Sequence, residues 1–123
     1  MTRILLAEDD ESLRGFLARA LERAGFEVKA CADGEEAVAE LDDRWDLLLT
    51  DIVMPGMDGM ETTRRLRAHP RTEVATVPVI GLTAHALEEE RDRCRAAGMV
   101  EHLAKPVELD ELVAALQRCA RQP

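Results

Sequence analysis

Five apolar runs of strand length alternate along this chain with segments whose apolar residues recur at helical spacing, and that alternation leaves few folds open. The runs are Ile4–Ala7, Phe26–Cys31, Leu47–Thr50, Val77–Leu82 and Val100–Leu103. After the first, Leu13, Phe16, Leu17, Ala20, Leu21 and Ala24 recur at i, i+3, i+4, i+7, i+8 and i+11. That is one face of a helix, and Gly25 ends it. Ala37, Val38 and Leu41 line a short helix behind the Asp33-Gly34 turn. A Pro/Gly-rich loop, residues 54–59, leads into a helix reaching about Ala68. Residues 84–97 form a helix closed by Gly98, and Leu109, Leu112, Val113, Leu116 and Ala120 share one side of the last. Five strands alternating with five helices predict a parallel sheet covered on both faces. The strands are apolar through their centres instead of alternating, as doubly covered strands are. The length, 123 residues, predicts a single domain over 1–123. It suits an α/β, flavodoxin-like (βα)5 doubly wound fold with strand order 2-1-3-4-5, whose ligands sit beyond the carboxyl ends of strands 1 and 3.

Those carboxyl ends carry the chemistry. Strand 1 delivers Glu8, Asp9 and Asp10, strand 3 Asp51, strand 4 Thr83, and strand 5 Lys105 followed by Pro106. Strand 2 ends in Cys31 and Ala32 and adds nothing reactive. Carboxylates crowded into one volume repel and raise one another's pKa. Such a cluster suits a hard cation bound through oxygen, above all Mg²⁺, which shares its coordination shell with phosphate; Mn²⁺ would fit the same donors. A lysine ammonium supplies a point charge for phosphate, and the Thr83 hydroxyl can hydrogen-bond a phosphoryl oxygen. A carboxylate flanked by a cation and a lysine can act as a nucleophile and form an aspartyl phosphate. Single carboxylates at helix starts are ordinarily caps, and Asp10 is read that way. Asp58-Gly59 reads as a turn and helix start, the 88–93 charge run as a solvated face, Trp45 as packing at the entry to strand 3, and His69 as exposed loop.

Charge supports this direction. A formal net charge of −9 disfavours binding to nucleic acid, which rests on Lys and Arg against phosphate. Cys31, Cys94 and Cys119 are odd in number and lack paired spacing, so a disulfide framework or zinc site is not expected. No apolar run approaches a membrane span, and Met1-Thr2-Arg3-Ile4 runs straight into the first strand. Together these predict a cytoplasmic protein without a leader peptide.

The residues also resemble a known family over essentially the whole chain. Ile-Leu-Leu-Ala-Glu-Asp-Asp (4–10), Leu-Leu-Leu-Thr-Asp-Ile-Val-Met-Pro-Gly-Met-Asp-Gly (47–59), Val-Ile-Gly-Leu-Thr-Ala (79–84) and His-Leu-Ala-Lys-Pro-Val (102–107) are similar to the conserved stretches of bacterial two-component response-regulator receiver domains, the CheY-like group. The resemblance implies that Asp51 accepts a phosphoryl group from a histidine kinase or histidine phosphotransfer protein. It implies that Asp9 and Asp51 ligate Mg²⁺ directly, Glu8 through water, and Val53 through its backbone carbonyl. Thr83 and Lys105 would hold the phosphoryl oxygens, and the Lys105-Pro106 peptide would be cis. Such a protein is a signalling phosphoacceptor that catalyses only its own phosphorylation and dephosphorylation.

The sequence departs from the family at one place. Three residues before the lysine, where the family carries Tyr or Phe, stands His102. It is read either as the switch residue that turns inward as Thr83 moves, with an imidazole titrating near neutrality, or as a half-exposed strand residue. Val53 and His85 border the phosphoryl position and would tune its hydrolysis. A haloacid-dehalogenase-type phosphatase would need an acid at Val53, and a flavin carrier would not place acids in its phosphate loop. Output is expected through the surface of the fourth helix, fifth strand and fifth helix, roughly residues 84–120, toward a protein target, with no nucleic acid or membrane involved. The chain reads as a stand-alone regulator or relay shuttle. Alternatives are a receiver from a hybrid histidine kinase, which the Leu82–Ala86 stretch also resembles, or a degenerate receiver acting only as a binding module.

Overall fold

The computed structural model describes residues 1–84 and 87–121. Five parallel strands, β1 (Arg3–Ala7), β2 (Glu27–Cys31), β3 (Leu47–Asp51), β4 (Val79–Thr83) and β5 (Glu101–Ala104), lie in the order β2-β1-β3-β4-β5. This is the expected order. The helices are α1 (Glu11–Arg23), α2 (Gly34–Ala39), α3 (Gly59–Arg67), α4 (Thr72–Ala75), α5 (Glu88–Ala97) and α6 (Leu109–Cys119). The four-residue α4 makes six helices where five were expected. It is too short to show a periodic apolar stripe, and only Val74 anchors it in the core.

Side-chain alternation along each buried strand divides the core into two layers. Leu5, Ala7, Leu48 and Val79 face one side, where they meet Ala37, Met60, Leu66, Cys94 and Ala97 from α2, α3 and α5. Ile4, Leu6, Leu47, Leu49, Ile80 and Leu82 face the other, against Leu17 and Leu21 of α1 and Leu112, Ala115 and Leu116 of α6. Because both faces are covered, β3 and β4 are buried at every residue. β2, at the sheet edge, is buried only at Cys31.

Caps fix where the helices begin. Asp10, Asp33 and Asp58 accept hydrogen bonds from Leu13, Glu36 and Glu61, each three residues on, and so satisfy amide groups of the first turns of α1, α2 and α3. Gly98 closes α5 in the left-handed conformation, φ 105°. Trp45 is buried ahead of β3 and donates its indole N–H to the Glu40 carbonyl. His69 is half-buried, not exposed, and its Nδ1 accepts the Arg71 amide. Among the described residues, no helix is long and apolar enough to cross a membrane.

Candidate functional site

Parallel register brings the acidic residues together. Ala7 of β1 lies opposite Thr50 of β3, so Glu8 and Asp51 leave the sheet side by side. Glu8 has no exposed surface and Asp51 is 6% exposed, while Asp9 faces solvent. Glu8, Asp9 and Asp51 each offer a carboxylate oxygen, all within 4.8 Å of one another, and the three could hold a metal ion. Oxygen donors of this kind fit a hard divalent cation. Asp10, next in the chain, is occupied as the α1 cap and also donates its backbone N–H to Glu8 at 3.1 Å. The β1–α1 turn is further held by Arg14, whose guanidinium donates to the Glu8 carbonyl at 2.9 Å.

Lys105 enters from the end of β5. Its Nζ lies 3.0 Å from Oε1 of Glu8 and 3.2 Å from Oδ2 of Asp51. It is followed by a cis Lys105–Pro106 peptide, and its backbone N–H donates to the Thr83 carbonyl at 2.7 Å. That bond joins the ends of β4 and β5, so Thr83 and Lys105 are delivered as a unit. Thr83 is buried, and its hydroxyl donates to Oε1 of Glu90 on α5.

The electrostatics follow from this packing. Burial pushes both Glu8 and Asp51 above the ordinary carboxylate range, and hydrogen bonds from Lys105 offset only part of the rise. Burial also opposes the charge on Lys105, but its bonds to Glu8 and Asp51 outweigh that and hold its pKa above the usual lysine value. A divalent cation beside them would favour both ionised carboxylates.

The β3–α3 loop closes tightly over Asp51. Gly59 starts α3 against the backbone of Asp51 and Ile52, where a Cβ would collide. Val53, two residues beyond Asp51, leaves its side chain 69% exposed. It lines a groove of about 250 Å³ with Met54, Met60, Glu90 and Arg93. His85 lies outside the described residues. His102 sits half-buried on β5, opposite Gly81 of β4. Burial and the nearby Arg91 lower its pKa, while Glu90 and Glu101 act the other way.

Glu90 is buried where a solvated residue was expected. It belongs to a charge run read as a solvated face, yet it is only 8% exposed. The signal was available. Glu90, Cys94 and Ala97 recur at i, i+4 and i+7, and these are the three buried positions of α5.

The family model of the response regulator receiver domain matches residues 4–117. The phosphate regulon transcriptional regulatory protein PhoB of Rhizobium meliloti is 40% identical over 99% of this chain and 53% of its own length. The sensor histidine kinase RcsC of Salmonella typhi is 41% identical over 89% of this chain but 11% of its own length. Among solved structures, the chemotaxis protein CheY4 of Vibrio cholerae superposes with a TM-score of 0.90 at 32% identity, covering 97% of this chain and 98% of its own. The receiver domain of the sensor histidine kinase PA1611 of Pseudomonas aeruginosa, crystallised with a magnesium ion in its active site cleft, gives 0.85 at 38% identity and covers 96% of each chain. The chain thus spans about half the length of PhoB, 53%.

Proposed function

The chain belongs to the response regulator receiver domain family, and on that premise we propose that Asp51 takes a phosphoryl group from a histidine kinase or histidine phosphotransfer protein. The observation that carries this reading is the meeting of Lys105 with Glu8 and Asp51 at 3.0 and 3.2 Å, beside Asp9, at the carboxyl end of the sheet. Asp9, Asp51 and the Val53 carbonyl would hold Mg²⁺, with Glu8 acting through water. Mg²⁺ supplies charge neutralisation to the transferring phosphoryl group.

The protein's own residues do the rest. An Asp51 carboxylate oxygen forms the bond to phosphorus as the donor's P–N bond breaks, and the donor imidazole keeps the electron pair. Lys105 turns its ammonium from the carboxylates to a phosphoryl oxygen, and Thr83 donates its hydroxyl to another. Water attack on the acyl phosphate reverses the modification, with Val53 and His85 shaping access. The protein catalyses only these two steps on itself. His102 acts as the switch residue on β5, and the α5–β5–α6 surface presents the result to a protein target in the cytoplasm. The whole domain, residues 1–123, serves this purpose, and neither nucleic acid nor a membrane is contacted directly.

Incubation with a small phosphodonor such as phosphoramidate in Mg²⁺ tests the reading. Intact-mass measurement should show one added phosphoryl group, lost in Asp51→Asn and with a chelator present. Full uptake by Asp51→Asn would refute it.

A further inference from the structure

Among the described residues, Glu8, Asp51 and Glu90 are the buried carboxylates. Lys105 faces the first two. Glu90 has no such cation within its burial. Its Oε1 accepts the Thr83 hydroxyl, and its Oε2 lies 4.0 Å from Arg93, whose side chain is largely exposed. A carboxylate is expensive to bury unless its oxygens are hydrogen-bonded, and an O–H donor to an ionised acceptor makes a strong bond. The bond to Thr83 is therefore a large part of what seats the first turn of α5. The helix has little else with which to hold the sheet, since it buries only Glu90, Cys94 and Ala97.

We propose that Glu90 is a positioning residue that holds the Thr83 hydroxyl in the unphosphorylated protein, so that a phosphoryl group on Asp51 must displace Glu90 to gain Thr83. This rests on the phosphoacceptor reading of Asp51. A threonine hydroxyl has one proton to give. Thr83 ends β4 directly across from the Asp51 strand end, with Asp51 in register with Leu82. It gives that proton either to Glu90 or to a phosphoryl oxygen. When Thr83 turns away, Glu90 is left buried without its donor, and that cost drives the first turn of α5 outward. The groove of about 250 Å³ between Glu90, Arg93 and the Val53–Met54 segment gives the carboxylate room to move. Arg93, already 4.0 Å from Oε2, can close on it. Occupancy of Asp51 thus becomes a displacement of α5 through one exchanged hydrogen bond.

The test is the affinity for beryllofluoride, a phosphoryl mimic, measured by titration calorimetry in saturating Mg²⁺. Glu90→Ala removes the competing acceptor and should bind on the order of tenfold tighter than wild type. Glu90→Gln keeps a neutral acceptor and should fall between, about threefold tighter. In a Thr83→Val background the Glu90→Ala change should make no difference to whatever affinity remains. Mg²⁺ affinity alone should be the same in wild type and both Glu90 variants. A merely structural role would weaken binding, not tighten it. Unchanged or weaker beryllofluoride binding in Glu90→Gln and Glu90→Ala, with wild type binding normally, overturns the proposal alone. Wild type that takes up no beryllofluoride overturns the phosphoacceptor reading and this proposal with it.

Discussion

Lys105 donates to Glu8 at 3.0 Å, and Glu8 is a carboxylate with no exposed surface. A lysine from the end of the last strand therefore acts as counter-ion to an acid at the end of the first. Glu8 and Asp51 both have folded-state pKa values raised above those of the unfolded chain. Their contribution to stability is fully present below the ordinary carboxylate range and is lost as pH rises through the folded values. Lys105 limits that loss. In the absence of divalent cation, Lys105→Met should match wild type near pH 4 and be less stable by about 2 kcal/mol near pH 7.5. Urea denaturation at the two pH values reads the difference. An equal deficit at both would mean that Lys105 contributes packing and not charge.

Val53 presents an apolar side chain at the mouth of the groove beside Asp51. It can neither orient nor activate a water. Val53→Asn should shorten the lifetime of the Asp51 acyl phosphate about threefold, a fall in barrier of roughly 0.7 kcal/mol. The decay of the phosphorylated species by mass spectrometry gives the rate, and equal lifetimes would show that the side chain at 53 does not govern water attack.

The surroundings of His102 lower its pKa. Burial lowers its pKa and Arg91 adds to the effect, against weaker pulls from Glu90 and Glu101. A base with a depressed folded pKa contributes stability above its unfolded value, and that stability is lost as pH falls through the folded one. The ring should titrate below about 6.5 by proton NMR, with the resonance assigned by its absence in His102→Gln. A midpoint above the ordinary value would reverse the argument. A rotamer unchanged by beryllofluoride would remove His102 from the switch.

Arg67 gathers three backbone carbonyls from separate parts of the chain. Its guanidinium donates to the Gly98 carbonyl at 2.6 and 3.2 Å, to Ala75 at 3.0 Å and to Val77 at 2.6 Å. Burial lowers its pKa. Arg67→Met leaves these carbonyls unpaired and should cost ~3 kcal/mol, a fall of roughly 10 °C or more in Tm. Arg67→Lys should recover only part, since an ammonium cannot fork among three carbonyls. A loss below ~1 kcal/mol in Arg67→Met would show that water replaces the guanidinium.

The strand order and the meeting of Glu8, Asp9 and Asp51 with Lys105 were legible because each residue follows an apolar run and parallel strands end on one edge. Asp10 was legible as a cap because it precedes a strongly periodic helix. What escaped has a common cause. Four residues around Val74 are too few to display a period, so α4 read as loop. Glu90 sat in a run of six charges, and its membership of the buried stripe was masked by the polarity of its neighbours. Arg67 looked like any arginine in the last turn of a helix. Its partners are backbone carbonyls at 75, 77 and 98, at or just beyond the ends of α4 and α5, which leave no mark on side-chain patterning.

The grip of Arg67 on Gly98 gives α5 a mechanical character. Gly98 ends the helix, so that end is pinned to α3 through Arg67, while the other end rests on Glu90 and a thin apolar seam. Ten residues make a rod about 15 Å long. A rod fixed at one tip answers a push near the other by swinging, and its travel is greatest at the free tip. Leu87, exposed just ahead of that tip, would therefore sweep the widest arc, making it the point at which a small rearrangement becomes most visible to another molecule.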